Sequence, residues 1–455
     1  MILWNFIKDH MLEKPTQLIS ENEANLSYEK MIIWAEEFAK KLSNVKCCAI
    51  LCSSEMAAGM SLLACFAAEV TAVPLSIRYG EKHCNKILDA ISPDAIIMDT
   101  GGELAIYKLT DNQFVVPDKH PALIMCTSGT TGAPKGSLLS ENNVVTNVTD
   151  ISDYFDMKTS DSILISRPLY HCAVLTGEFL TALVKGARIR FCSDPFNPTK
   201  LLNLIDKYQI TTFCGTPTIL SILARCNFNS KTKTLKNICI SGECMGKKEG
   251  QKIAEAFPNC QIYHVYGLTE ACPRVSYLPP EFFCDYSDCV GIPLKSVSIK
   301  IQTPDGTECR KNEEGVLYVK GDNIMIGYYG DPERTQIVLR EGWLCTGDVA
   351  VINEAGFLKI KGRVDDMIIK AGMNIYPAEI EQTLKQNPRV KEALAFEYRN
   401  RFGTQIGLKV VGDFSSVDEV KRYCVDHLPL HQIPSKIELV TELPKSGSGK
   451  IIRRL

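Results

Sequence analysis

The 455-residue chain is 45% hydrophobic and 23% charged, with 51 Lys+Arg against 53 Asp+Glu for a formal net charge of −2. A single core stops growing near about 250–300 residues, so at least two folding units are expected, and the average globular composition excludes a disordered chain, a collagen or a long coiled coil. No global basic field is available to hold a nucleic-acid backbone by counterion release, which argues against a polyanionic partner.

The N-terminus meets Lys8 and Asp9 at once, so no secretory apolar stretch is expected. Ser27 can cap a helix whose Met31, Trp34, Ala35, Phe38 and Leu42 recur at helical spacing. Strand-like Cys47–Cys52, Thr71–Ser76 and Ala95–Asp99 follow, with helical segments between them. The apolar stretch from Ala57 to Leu75 is broken by Gly59, Glu69 and Pro74 and reads as a buried helix leading into a strand, not a membrane span. The alternation resumes with Ser162–Ser166, Ala187–Cys192, Thr211–Gly215 and Asn237–Ser241. Strand–helix order at this spacing predicts an α/β fold of two largely parallel sheets covered by helices, in blocks 1–160 and 161–275. From 276 to 362, turns at Pro304–Gly306 and Asn353–Gly356 predict a smaller antiparallel β unit. A final α+β domain is expected over 366–455, with helices near Pro377 and over 416–427. The boundary at 363–365 carries no flexible spacer and reads as a tight hinge. Nineteen cysteines without a CxxC pair read as buried free thiols in a reducing cytoplasm.

Three loops carry the chemistry. An apolar strand from Leu123 runs into the hydroxyl- and glycine-rich stretch Thr127, Ser128, Gly129, Thr130, Thr131, Gly132 and on to Lys135, expected to lead into a helix. Backbone N–H groups, hydroxyls and one cation suit a polyphosphate. It is not a Walker A loop, because Pro134 precedes the lysine and Gly136 follows it. The tail from Pro444 to Lys450 fails the same test. A second loop, Tyr263–Ala271, places Thr269 and Glu270 after Gly267; Thr269 can bond a phosphate oxygen and Glu270 can hold Mg²⁺. The third, Gly342–Asp348, offers a carboxylate at a tight turn for the hydroxyls of a ribose.

These loops occur together with Gly362–Gly372, Asn374–Glu381 and the terminal Pro444–Arg453, six motifs in one order. The chain resembles the adenylate-forming superfamily of acyl-CoA synthetases, peptide-synthetase adenylation domains and firefly luciferases, over nearly its full length. The resemblance implies a large N-terminal AMP-binding domain (1–362) and a small mobile C-terminal domain, with ATP, Mg²⁺ and coenzyme A, or a carrier-protein phosphopantetheine, as cofactors. It implies that Thr127–Lys135 wraps the β- and γ-phosphates and that Glu270 binds Mg²⁺. Ser241–Met245, with Gly242 and Glu243, resembles the segment lining the adenine pocket, and Tyr266 would lie near the base. Asp348 would bind the ribose assisted by Arg363, and Lys450 matches the lysine of the adenylation step. Asp365 aligns with the hinge, and Gly372 with the glycine beside the pantetheine tunnel. Lys370 is set aside, because the second-step lysine of some relatives falls at Ile369 here.

His171 matches the gate of the carboxylate pocket, and Cys172, Thr216 and Cys272 are expected as acyl-pocket walls. Amino-acid-activating relatives carry an Asp beside this histidine; Cys172 stands there instead, and an ammonium buried without a carboxylate is costly. A fatty, aryl or short branched carboxylic acid is therefore expected, converted to an adenylate and then to a CoA thioester. The alternatives are loading of an acyl carrier protein, luciferase-like oxidation of the adenylate and a non-catalytic AMP-binding regulator.

Overall fold

The structure is a computed structural model that describes residues 2–77, 80–100, 103–109, 114–128, 134–226, 231–370, 373–401, 403–444 and 451. Helix Tyr28–Ala39 starts where its sequence dictates: the Ser27 side chain accepts from Lys30 N at 3.3 Å, and Met31, Ala35 and Phe38 are buried. The β-branched runs form strands that are buried along most of their length, such as Ser162–Ile165, Thr212–Gly215 and Asn237–Ile240. Strands buried on both faces can only lie inside a helix-covered parallel sheet.

Two such sheets are present. A nine-stranded sheet runs through Leu18–Glu21, Arg188–Phe191, Ser162–Ile165, Thr212–Gly215, Asn237–Ile240 and Gln261–Gly267 in parallel, with antiparallel strands at both edges. A seven-stranded sheet has Leu123–Ser128, Thr71–Pro74, Cys47–Leu51 and Ala95–Thr100 in parallel at its centre. One continuous core joins them, with Leu62, Leu63 and Phe66 of helix Glu55–Ala67 and Val144, Val148 and Ile151 of helix Glu141–Tyr154 among its members. The sheets exchange strands across the contiguous blocks expected from sequence. Hairpin Leu18–Glu21/Ala24–Ser27 belongs to the nine-stranded sheet, and Gly327–Tyr328 returns to the edge of the seven-stranded one.

The smaller β unit is antiparallel, with Gly315–Gly321 between Val297–Gln302 and Trp343–Ile352, and Leu358–Arg363 on the far side of the last. Beyond Arg363 the chain builds a separate core around Ile368, Ile375, Ile380, Leu384, Leu408 and Val420. This body touches the rest through polar groups: Tyr376 donates to Glu314 at 2.9 Å, and Lys361 pairs with Glu379 and, at 3.5 Å, with Glu314.

Candidate active site

The phosphate-loop expectation needs one correction. Strand Leu123–Ser128 does not lead into a helix. It turns back as strand Pro134–Leu139, antiparallel, with Thr127 opposite Lys135, and helix Glu141–Tyr154 begins only after that. Gly129, Thr130, Thr131 and Gly132 lie outside the described residues; Ser128 ends the first strand. Strand Gly327–Tyr328 pairs with the outer side of Pro134–Leu139, placing Tyr328 opposite Ser137. From there the Tyr328 hydroxyl donates to Glu270 Oε1 at 2.8 Å. A third strand thus couples the hairpin to the carboxylate. Burial, followed by the repulsion of Arg334, holds the Lys135 ammonium below its ordinary range; Glu270, Arg363 and Asp365 also lie close enough to act on it.

The Thr269–Glu270 turn is held by backbone approach and by amides. A Cβ on Gly267 would stand 2.2 Å from the Pro273 carbonyl oxygen, so only glycine permits the crossing in which Leu268 N donates to that oxygen at 2.9 Å. Asn147 reads the backbone of Arg274 in both directions, at 2.9 and 3.1 Å. Asn323 donates to the carbonyls of Ala271 and Arg274 at 2.8 and 2.9 Å. Met325 N closes the set on the Glu270 carbonyl at 2.9 Å. Asn147, Asn323 and Tyr328 were not singled out from sequence. A signal existed for the first: Asn143 and Asn147 recur four apart on the buried side of a helix that also carries Val144, Val148 and Ile151. Buried amides require partners. No group of three or more His, Cys, Asp or Glu forms a metal cluster among the described residues. A single carboxylate, Glu270, facing a cationic hairpin suits Mg²⁺, which is usually held by one or two carboxylates together with substrate phosphates.

Asp348 and Arg363 are cross-strand partners, with Arg363 Nη1 3.2 Å from Asp348 Oδ1. Arg363 also donates to the Thr346 carbonyl at 3.0 Å, and Asp348 N donates to the Thr346 hydroxyl at 3.0 Å. Tyr266 donates its hydroxyl to the other oxygen of Asp348, fixing the ring beside the candidate ribose site. Burial raises the Asp348 carboxyl above the usual carboxylate range, against the opposing pull of Arg363. Burial, then Asp348, pushes the Tyr266 phenol up.

Gly242 has φ +94°, and a Cβ there would approach Thr216 Cγ2 to 3.8 Å, so these two candidates face each other. Thr216 caps helix Pro217–Arg225, accepting from Ile219 N at 3.3 Å. Glu243 accepts from Thr218 Oγ1 at 2.6 Å. His171 occupies the N-cap of the short helix Cys172–Val174, its ring 4.1 Å from that of Tyr170. Cys172 and Cys272 are buried side by side, since Thr176 Oγ1 donates to both of their carbonyls, at 2.9 and 3.2 Å. Asp365 is exposed in the turn Val364–Asp366 immediately after Arg363. Lys370 donates to the His431 carbonyl at 3.5 Å within the C-terminal body. Gly372 and Lys450 lie outside the described residues.

The AMP-binding enzyme profile matches residues 10–329, and that of the AMP-binding enzyme C-terminal domain matches 379–450. The chain belongs to the AMP-binding enzyme family. It is 32% identical over 358 residues to a long-chain-fatty-acid CoA ligase of Haemophilus influenzae, covering 75% of this chain and 63% of the ligase. It is 29% identical over 422 residues to a feruloyl-CoA synthase of Amycolatopsis, covering 86% and 84%. The fold is that of the o-succinylbenzoate CoA synthetase of Bacillus subtilis, solved in complex with ATP and magnesium ion, with a TM-score of 0.87 and 26% identity over 99% of this chain and 98% of that one. This AMP-binding enzyme thus spans less than two thirds of the curated long-chain ligases it matches. No helix among its described residues is long and apolar enough to cross a membrane.

Proposed function

We propose that the protein is an ATP-dependent acid–CoA ligase, which activates a carboxylic acid as its adenylate and passes the acyl group to the thiol of coenzyme A. The observation that carries this reading is the meeting of Lys135, Glu270 and the Asp348–Arg363 pair in one electrostatic neighbourhood. Similarity to acyl- and aryl-CoA ligases supports it.

In the first half-reaction an oxygen of the acid attacks the α-phosphorus of ATP, and the bond to pyrophosphate breaks. Two anions must approach, so the protein's work is positioning and charge neutralisation. Thr127, Lys135 and the glycine- and hydroxyl-rich stretch between them take the β- and γ-phosphates. Glu270 would hold Mg²⁺, which would supply further charge neutralisation on the phosphates. Tyr328 keeps that carboxylate oriented, and Thr269 bonds a phosphate oxygen. Asp348 accepts from the ribose hydroxyls, with Arg363 and Tyr266 fixing its two oxygens. Gly242 and Glu243 line the adenine side. Lys450 is assigned the neutralisation of charge between the attacking carboxylate and the α-phosphate. His171, Cys172, Thr216 and Cys272 border the acyl chain.

In the second half-reaction the thiol attacks the adenylate carbonyl and AMP leaves. The body from 366 onward pivots at Asp365 to withdraw Lys450 and admit the thiol past Gly372. The separate C-terminal core and its polar contacts support a pivot of this kind. The test is acid-dependent ATP–pyrophosphate exchange across a carboxylic acid library, followed by assay of CoA thioester. Exchange with no acid refutes the reading; adenylation with delivery only to a carrier-protein phosphopantetheine assigns the alternative acceptor.

A further inference from the structure

Behind the candidate acyl wall lies a group of buried charges that does not balance. Arg167 donates through Nη2 to Glu178 Oε1 at 2.6 Å and to Ser241 Oγ at 3.3 Å. Arg274, 3% exposed, lies against the same turn of chain: a Cβ on Gly177 would stand 2.7 Å from its Nη2. Glu178 is 1% exposed, is ion-paired with Arg167 and lies within the field of Arg274. Nε of Arg274, Nε of Arg167 and Oε2 of Glu178 are buried without hydrogen-bond partners among the described residues. The Arg274 backbone is engaged by Asn147 and Asn323, so the residue is anchored while its Nε has no hydrogen-bond partner among the described residues. Among the described residues two guanidiniums act on one carboxylate, which leaves one positive charge in surplus.

Such a surplus is expensive in an interior unless a ligand completes it. Its position says which ligand. Arg167 and Glu178 flank the stretch that begins at His171; Ser241 precedes Gly242; and Arg274 follows Cys272 by two residues. The Arg274 guanidinium therefore sits among the three segments that border the acyl chain. The Cys239 thiol beside it is drawn down to about 7, first by the hydrogen bond from Cys214 and then, against burial, by Arg274.

We propose that the acid activated here is a dicarboxylic acid, whose distal carboxylate is received by Arg274 with Arg167 beside it. The inference rests on the ligase reading and narrows its substrate class. A second carboxylate makes the buried set neutral, two cations against two anions. A purely apolar tail leaves one buried positive charge uncompensated.

The test uses the full chain in acid-dependent ATP–pyrophosphate exchange with α,ω-dicarboxylic and aryl dicarboxylic acids, each paired with the monocarboxylic acid of the same length. The best dicarboxylic acid should exceed its partner about a hundredfold in kcat/KM, because a site built around a polar group rejects the analogue that lacks it. Arg274→Met should abolish most of that ratio, and Arg274→Lys should keep part of it. A wild-type ratio below tenfold, or a ratio unchanged by Arg274→Met, overturns the proposal while leaving the ligase reading intact. Exchange with neither set overturns the ligase reading and this proposal with it. Should Arg274→Met fail to fold, the wild-type melting temperature in the presence of a non-hydrolysable ATP analogue decides: a rise with the dicarboxylic acid alone supports the proposal, and equal rises with both acids overturn it.

Discussion

Gly267→Ala is a one-carbon change whose consequence can be worked from the coordinates. The added Cβ would stand 2.2 Å from the Pro273 carbonyl oxygen and 2.9 Å from its carbon, where real Cβ contacts do not fall below 3.0 Å. The carbonyl must therefore retreat by about 0.8 Å. Both atoms are backbone, so no side chain can rotate away. The same oxygen accepts from Leu268 N, and the turn Thr269–Ala271 lies between these two residues. Asn147 and Asn323 hold the far end of the segment at Arg274, so the movement falls on Glu270. A misplacement near 1 Å costs roughly a hundredfold in rate, and overpacking costs roughly 1–3 kcal/mol of stability. Acid-dependent pyrophosphate exchange should thus fall about a hundredfold, with a lowered melting temperature and an intact cooperative transition. Exchange within threefold of wild type, at an unchanged melting temperature, would refute the reasoning that this backbone crossing positions Glu270.

Lys450→Ala should reduce pyrophosphate exchange by about 10²–10³-fold while leaving thioester formation from preformed adenylate, and a loss below tenfold would remove this lysine from the adenylation step. Asp365→Pro should lock the C-terminal body in one orientation, so that one half-reaction survives and the other collapses at an unchanged melting temperature; equal loss or equal retention of both would place the pivot elsewhere. His264 is buried with Nδ1 2.8 Å from the Ser287 carbonyl, and burial lowers its pKa to about 4 from 6.5. The folded state favours the neutral ring, so this contribution is fully present above pH 6.5 and is lost as pH falls towards 4, about 3 kcal/mol in all. Denaturant unfolding of His264→Gln should show a shallower acid dependence than wild type over that window, and parallel curves would contradict the assignment.

The alternation of strands and helices was legible because each central strand is buried on both faces and so carries its own apolar run, as in Ser162–Ile165 and Asn237–Ile240. Strand Pro134–Leu139 was not. It begins Pro134-Lys-Gly136, a loop composition, and is a strand only because neighbours flank it on both sides. Pro134 is tolerated there as the first residue of the strand, where its missing N–H breaks no ladder bond. The Leu18–Ser27 hairpin escaped for a related reason: each strand has four residues, too few for a period, and its place is set by Arg188–Phe191, far along the chain.

By itself the sequence determined which chemistry the chain could carry, because hydroxyls, glycines, Lys135, Glu270 and Asp348 stand at spacings within a single turn or strand end, where local geometry fixes what they can reach. It did not determine who their neighbours are. Tyr328 meets Glu270 from 58 residues away, and Asn147 meets Arg274 from 127 residues away. Arg274 comes to lie against Gly177 and Glu178 from a strand that no pattern links to their helix. Such meetings depend on the order of strands in two sheets and on how those sheets share one core. That order is chosen by the summed burial of the whole domain, so only the tertiary structure could decide it.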